Sequence, residues 1–305
     1  MTTSCFTNKF LFPLLITFCN WFGEKHPVFW VRLRYFIRFK KMPNLKSPKT
    51  LNEKILYLKL FTDTSVWTRL ADKCEVREYV KECGFEAYLV PLIGSWDDAS
   101  KIDFDLLPRS FIFKANNGCG KHSNLIVKDK DLIDKNKVSK LLSCWLNEKH
   151  IGGLSGEPQY KNIAPRIIAE ELLQIDEEHI SVVDYKIWCF NGSAYYIWTC
   201  ADRNEFCTYV MTYDRNWNPM PEVCVFLEKY RRGSVLPKPE NLLEMLRFAE
   251  SLAKGFPCVR IDLYNVDGRI YFGEMTFTSL GGLMNYFTHD FLCKCGDLVD
   301  VNYHG

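Results

Sequence analysis

Apolar residues recur at helical spacing over Leu51–Phe61 and over Trp67–Cys83, where Trp67, Leu70, Cys74 and Val80 mark one face. Thr50-Leu-Asn-Glu53 has the form of a capping box, which predicts the start of the first of these helices. Gly84 predicts the stop of the second. Ala87–Gly94 reads as a strand with Pro91 at an edge or bend. Beyond Pro108 short apolar runs take over. Ser110–Ala115, Asn124–Val127 and Arg166–Leu173 are predicted strands. Val182–Phe190, Ala194–Cys200 and Cys207–Tyr213 predict an antiparallel meander, with Asn191-Gly192 as a hairpin turn. Val259–Tyr264 and Arg269–Glu274 predict a second hairpin around Asp267-Gly268. Asn136–Lys149 and Glu240–Lys254 are amphipathic helices, the latter stopped at Gly255. Hairpins mixed with isolated helices indicate an α+β fold rather than a doubly wound parallel sheet.

Length and charge refine this picture. The chain has 305 residues, enough for two or three structural units. Its net charge of +2 gives no general case for nucleic acid. That total conceals a split. Residues 1–50 carry nine Lys/Arg against one acid, and the other 255 residues carry 30 against 36. Pro43–Pro48 reads as a linker after this basic head. Within the head, Val28–Lys41 interleaves Phe29, Trp30, Tyr35, Phe36, Ile37 and Phe39 with Arg32, Arg34, Arg38, Lys40 and Lys41. Such a segment either lies on an anionic membrane surface or packs its aromatics on the body, and the pattern leaves both open. Phe10–Phe18 is too short to span a bilayer and lacks a small-x-small cleavage site. Thirteen scattered cysteines without a Cys-x-x-Cys pair predict free thiols in a reducing compartment, not a zinc site.

Three stretches carry candidate chemistry. In Phe111–Asn124 a lysine, Lys114, ends an apolar strand and is followed by a turn containing Asn117, Gly118, Gly120 and Ser123. Small residues let backbone N–H groups close on phosphate oxygens, with Lys114 supplying charge. A plain hairpin loop with a snorkelling lysine is the competing reading. In Pro165–Leu173, Glu170 and Glu171 end a strand and suit hydrogen bonds from an adenine amino group or ribose hydroxyls. Exposed turn acids are equally common there. In Val259–Thr276, Asp262 and Glu274 lie on successive strands. Alternation is expected to place them on one face, and paired carboxylates call for a cation, such as Mg²⁺ shared with a nucleotide's phosphates. Arg260 projects to the side of Asp262 and suits transferred phosphoryl oxygens. Lys186 and Arg203 add positive charge, or are ordinary surface residues.

The order of these features resembles the ATP-grasp superfamily, and more closely its TupA-like family, associated with bacterial surface polysaccharides and teichuronopeptide. The stretches that carry the resemblance are Lys49-Thr-Leu-Asn-Glu-Lys-Ile, Leu70-Ala-Asp-Lys, Val76-Arg-Glu-Tyr-Val, Phe113-Lys-Ala-Asn-Asn-Gly, Ile168-Ala-Glu-Glu, Asp184-Tyr-Lys and Val259–Phe277, over residues 45–290. The resemblance implies a basic arm over 1–48, a helix-rich unit over 49–108, a small ATP-grasp subdomain over 109–175 and a large one over 176–305, with ATP between the last two. It implies that Lys114 and Lys186 contact phosphates and that Asn117, Gly118, Gly120 and Ser123 close over them. It places Glu170, Glu171 and the backbone at Leu173 against adenine, and Glu177 against ribose. Asp262 and Glu274 would hold Mg²⁺. Thr276 stands where the superfamily often has Asn, and offers a weaker, neutral ligand.

The implied reaction is ligation: a carboxylate attacks the ATP γ-phosphate, and an amine then displaces phosphate from the acyl phosphate. Arg260 and Arg203 would neutralise developing charge, and Gly281-Gly282 would offer N–H donors. The implied substrates are a uronic acid of a surface glycan and an amino acid or amine. The expected location is cytoplasmic, peripheral on the inner face of the plasma membrane if the arm binds lipid through residues 10–41. A glycosyltransferase using a nucleotide sugar would also need an acid pair, but the chain has no Asp-x-Asp after an early Rossmann-like unit. An inactive scaffold is disfavoured by Lys114, Asp262 and Glu274.

Overall fold

A computed structural model describes residues 17–118, 123–148, 152–173 and 181–304. Two sheets organise it. The smaller has four strands in the order β1-β4-β2-β3, where β1 is Leu92–Trp96, β2 Phe111–Ala115, β3 Asn124–Val127 and β4 Ile167–Glu171. The larger has six in the order β10-β9-β5-β6-β7-β8. Here β5 is Asp184–Phe190, β6 Ser193–Ala201, β7 Thr208–Asp214, β8 Tyr230–Arg232, β9 Cys258–Val266 and β10 Arg269–Thr276. All pairings are antiparallel except β7 with β8. The α+β expectation holds. The two hairpin turns hold as well, with Asn191, Gly192, Asp267 and Gly268 all at positive φ, as a two-residue turn of that type requires.

Both sheets are covered on one face by apolar side chains. Helix Leu242–Ala253 lays Met245, Phe248, Ala249 and Leu252 on the back of the larger sheet, against Ile187, Ile197, Ile261 and Leu263. Helix Lys135–Leu146 packs Val138, Leu142 and Trp145 against Phe111, Phe113, Ile167 and Ala169 of the smaller one. Its cap is Asp134, which accepts from Lys137 N–H, so it begins one residue before the predicted start and ends three before the predicted end.

The N-terminal helices are not an independent layer. Leu51, Ile55, Leu58, Trp67, Leu70, Val76 and Val80 belong to the core of the larger sheet, and Trp67 stacks on Phe277 at 4.8 Å. The capping box forms as predicted. Glu53 accepts from Thr50, Lys49 and Asn44 N–H groups, which also ties down the Pro43–Pro48 segment. Burial favours the neutral form of Glu53, but those N–H donors outweigh it and hold its carboxyl below the usual range.

Two predicted elements differ. Trp67–Cys83 is two helices, Ser65–Ala71 and Glu75–Glu82, because Asp72 turns its carboxylate onto Cys74 N–H and the Asn116 amide. The strand expected over Ala87–Gly94 is a 3₁₀ turn at Glu86–Tyr88 followed by β1, since Pro91 has no N–H to enter a ladder early. That strand, within the helix-rich 49–108 segment, is the edge of the smaller sheet. The basic segment is helical over 17–25 and over Pro27–Phe39. It buries Val31 and Tyr35 against Leu45, Leu56 and Leu283. No described helix is long and apolar enough to cross a membrane.

Candidate active site

The front face of the larger sheet carries a row of charge. Lys186 on β5, Asp262 on β9 and Glu274 on β10 are direct cross-strand partners, which puts all three side chains on one face. Trp188, Arg260 and Thr276 form the next row. Strict alternation from the Asp267-Gly268 turn would have paired Asp262 with Gly273 and sent Glu274 to the apolar back. A bulge between Phe272 and Glu274 corrects this by one residue. Its extra residue is Gly273, where a Cβ would lie 2.8 Å from the Asp262 carbonyl oxygen, so only glycine fits without a shift. The two carboxylates do share a face, through a bulge rather than through alternation.

Arg260 lies between them. Its Nε donates to Asp262 Oδ1 at 2.6 Å, and its Nη2 to Asp262 Oδ2 at 2.8 Å, Thr276 Oγ1 at 3.1 Å and Glu274 Oε1 at 3.3 Å. Its Nη1 reaches Ser279 Oγ at 2.6 Å, and Ser279 meets the Tyr286 hydroxyl at 2.8 Å. Lys186 Nζ donates to Asp262 Oδ2 at 2.5 Å. Arg203 pairs with Asp184, which lies 3.6 Å from Lys186 Nζ. Burial disfavours the Lys186 ammonium, but Asp184 and Asp262 outweigh it and keep the proton bound well above the ordinary range. Glu274 is half-buried. Desolvation would raise its carboxyl, yet Lys73, Lys186, Arg260 and the Thr276 hydroxyl together hold it at about 2.

On the smaller sheet, Lys114 projects from the face opposite its core and donates to Glu170 Oε2 at 2.6 Å. Arg77 takes Glu170 Oε1 at 2.9 Å. The Glu170 carboxylate, expected against adenine, is thus spent on orienting Lys114. Glu171 is exposed and Leu173 half-buried at the end of this sheet. Ile126 is exposed on the Lys114 face, beside Ile112. Asn117 and Ser123 are buried at the base of the turn, and a Cβ at Gly118 would lie 2.2 Å from Ser123 Cβ. Gly120 and Glu177 lie outside the described residues.

Several members of the site were missed by reading motifs one at a time. Lys73 donates to the Gly118 carbonyl at 2.5 Å, and Arg77, Asp184, Ser279 and Tyr286 complete the networks. Lys73, in the turn between helices Ser65–Ala71 and Glu75–Glu82, and Arg77, on the second of them, belong to a different predicted unit, so spacing could not tie them to the strands. The Gly281 N–H, expected as a free donor, is given to the Thr278 carbonyl, and the Gly281 carbonyl accepts from Lys59. A cavity of about 550 Å³ opens on the back of the larger sheet beside Tyr185, Thr199 and Met211. It lies on the face opposite the charged row.

No group of three or more His, Cys, Asp or Glu able to hold a metal occurs among the described residues. The donor set still suits Mg²⁺, which takes one or two carboxylates and completes its shell with water and phosphate oxygens. Glu274 is ionised and half-exposed. Asp262 already accepts from Arg260 and Lys186, two donors on Oδ2 and one on Oδ1, so Oδ1 is the atom better placed to serve a cation. The Thr276 hydroxyl, an expected ligand, donates to Glu274 Oε1 at 2.9 Å.

Two sheets, each backed by helices, form the fold of an ATP-grasp protein. Residues 53–299 match the model of the TupA-like ATPgrasp family, and the chain belongs to that family. Among solved structures, D-alanine–D-alanine ligase from Bacillus anthracis complexed with ATP is similar at 14% identity and a TM-score of 0.37, over 68% of this chain and 54% of that one. ATP-grasp ligase PsnB complexed with minimal precursor is similar at 12% identity and a TM-score of 0.42, over 80% and 66%. N5-carboxyaminoimidazole synthase from Aspergillus clavatus is similar at 11% identity and a TM-score of 0.37, over 68% and 44%. The chain thus spans between about half and two thirds of the length of these proteins. No curated protein matches it.

Proposed function

We propose that the protein is an ATP-dependent carboxylate–amine ligase that forms an amide through an acyl phosphate. The observation that carries this reading is the bulge-set row of Lys186, Asp262 and Glu274, braced by Arg260. Lys114 and Lys186 would bind phosphate oxygens as charged donors. Glu170, with its carboxylate shared between Lys114 and Arg77, would hold Lys114 in place. Glu171 and the backbone at Leu173 remain for the adenine edge, with Ile112 and Ile126 as an apolar platform. Arg260 and Arg203 would balance charge as the substrate carboxylate oxygen attacks the γ-phosphorus and ADP leaves. The amine nitrogen then attacks the acyl carbon, phosphate leaves with the C–O electron pair, and a proton is lost from nitrogen. No protein nucleophile is needed, so the chain's contribution is positioning and electrostatic stabilisation. Mg²⁺, held by Glu274 and in part by Asp262, would supply further neutralisation of the phosphates.

The family association supports a uronic acid of a bacterial surface polysaccharide as the carboxylate, and an amino acid or amine as the partner. The decisive assay measures ADP release with Mg-ATP against a panel of uronic acids and amines. A pairing that raises ADP and yields an amide is expected. Turnover of nucleotide sugars without ADP release in any pairing would sink the ligase reading.

The same reading places the enzyme at the cytoplasmic face of an anionic membrane. Helix Pro27–Phe39 is already packed on the body through Val31 and Tyr35, so its membrane contact would use the other side. There Phe29, Phe36 and Ile37 are exposed beside Arg32, Lys40 and Lys41, with Phe18 and Trp21 exposed on the preceding turn of chain. Apolar side chains ringed by cations suit a headgroup layer of anionic lipid.

A further inference from the structure

β8 is three residues long and joins the edge of the larger sheet parallel to β7. Thr208 N–H donates to the Lys229 carbonyl at 2.9 Å and Gly233 N–H to the Val210 carbonyl at 3.0 Å, which fixes Tyr230 between them. The Tyr230 ring packs edge-on against Trp198 at 5.4 Å and Tyr286 at 5.5 Å, and those two rings stack on each other at 4.2 Å. Lys229 Nζ lies over the Tyr230 ring at 5.6 Å. Trp198 is the cross-strand partner of Lys186, so this aromatic group stands on the front face. It continues the row of Glu274, Asp262 and Lys186, on the flank of Lys186 away from the two carboxylates. Tyr286 in turn is tied through Ser279 to Arg260. The Tyr230 hydroxyl has no hydrogen-bond partner among the described residues. It lies in the field of Arg203, Arg260 and Lys186. Burial makes the phenol harder to ionise, Cys200 adds to this, and the three cations oppose it without reversing it, so the group keeps its proton and remains a donor. Packing alone does not call for that oxygen, since phenylalanine would set the same ring against Trp198 and Tyr286. A half-buried O–H donor among cations suits an anionic oxygen that the cations also attract.

We propose that Tyr230 is a binding residue for the carboxylate substrate: its hydroxyl donates to a carboxylate oxygen seated beside Arg203 and Lys186, on the flank away from Asp262 and Glu274. The inference rests on the ligase reading and assigns the side of the charged row that the second substrate occupies. It also gives a reason for β8, a strand too short to add much to the ladder.

Tyr230→Phe tests it, because the variant keeps the ring and deletes only the oxygen. ADP release by the full-length protein is measured with Mg-ATP and the most active pairing from a panel of uronic acids, glucuronate and galacturonate included, and amines. Calorimetric titration with ATP and thermal melting are run in parallel. The variant is expected to melt as wild type does and to bind ATP within twofold. Its KM for the uronic acid should rise about tenfold, the size of a lost hydrogen bond to a charged group. The change in kcat should be smaller, as for a contact made already in the bound ground state. A KM for the uronic acid within twofold of wild type would overturn the inference and leave Tyr230 a packing residue. A loss of ATP affinity as large as the rise in that KM would also overturn it, by putting the hydroxyl on the nucleotide. Wild type that releases no ADP with any pairing overturns the ligase reading along with the inference. Active wild type beside an unaltered Phe variant overturns the inference alone.

Discussion

Arg260 holds Asp262, Glu274, Thr276 and Ser279 with one guanidinium. Replacing it by Met would leave the buried Asp262 with Lys186 as its remaining cation and Ser279 without its donor, with an expected stability loss of about 3 kcal/mol. Asp262→Asn would leave Lys186 and Arg260 short of a counter-charge, so its kinetics mix stability with chemistry. Glu274→Gln separates them better: its side chain is half-exposed and the amide keeps the shape, so a modest fall in melting temperature, from the cations that lose their partner, is expected together with loss of Mg-ATP turnover. Full turnover in that variant would remove the metal role. Lys59 sets a different test. It is buried, donates to the Ser155 and Gly281 carbonyls, and is driven from 10.5 down to about 8 by desolvation, with Arg34 adding to the fall and Glu157 opposing it. Between pH 8 and 10.5 the unfolded chain binds a proton that the native lysine has lost. Stability from this group therefore rises with pH across that window, by up to about 3 kcal/mol. Urea unfolding at pH 7.5 and pH 10 should show wild type gaining on Lys59→Met, and a pH-independent gap between them would contradict the shift. The acids and Arg260 were legible as residue types on apolar strands. Lys59, whose partners Ser155 and Gly281 lie 96 and 222 residues further along the chain, was not.

At the scale of elements, the bulge at Gly273 decides what the hairpin can do. Gly273→Val places a side chain against the Asp262 carbonyl, which forces the ladder open or back into strict alternation. Either result moves Glu274 away from Asp262. The expected outcome is a folded, less stable protein that loses Mg-ATP turnover about as completely as Glu274→Gln. Turnover within twofold of wild type would show that the bulge does not set the site. Strands, turns and caps were largely readable because each depends on local pattern: Thr50 with Glu53, or Asn191 with Gly192. The bulge was not, since a glycine in a strand signals several structures. The helix break at Asp72 was hidden for a related reason. Helical periodicity continues through it, and the distant Asn116 joins the local Cys74 N–H in drawing the Asp72 side chain away from the helix.

For the whole molecule, the basic head and the acidic body meet in one core. Val31 and Tyr35 fill a depression with Leu56 and Leu283, so removing residues 1–42 would uncover buried surface as well as any lipid contact. A cleaner variant alters only the outer side: Phe29→Ser, Phe36→Ser and Ile37→Ser together. It is expected to keep its melting temperature and to lose most binding to vesicles containing anionic lipid at low salt. Unchanged vesicle binding would refute membrane docking through this face.

The sequence by itself determined the α+β class, the capped helices, the hairpin turns and the family, because these follow from local propensity and from the order of motifs along the chain. It also supplied the charged residues from which a nucleotide site can be made. Only the tertiary structure decided how they are used: that Glu170 braces Lys114, that Glu274 joins Asp262 through a bulge, that Arg260 bridges both, and that Lys73 arrives from another unit. The physical reason is that a charge on an apolar strand must find its partner across the sheet or across the molecule, and which partner it meets depends on register and packing rather than on neighbours in sequence.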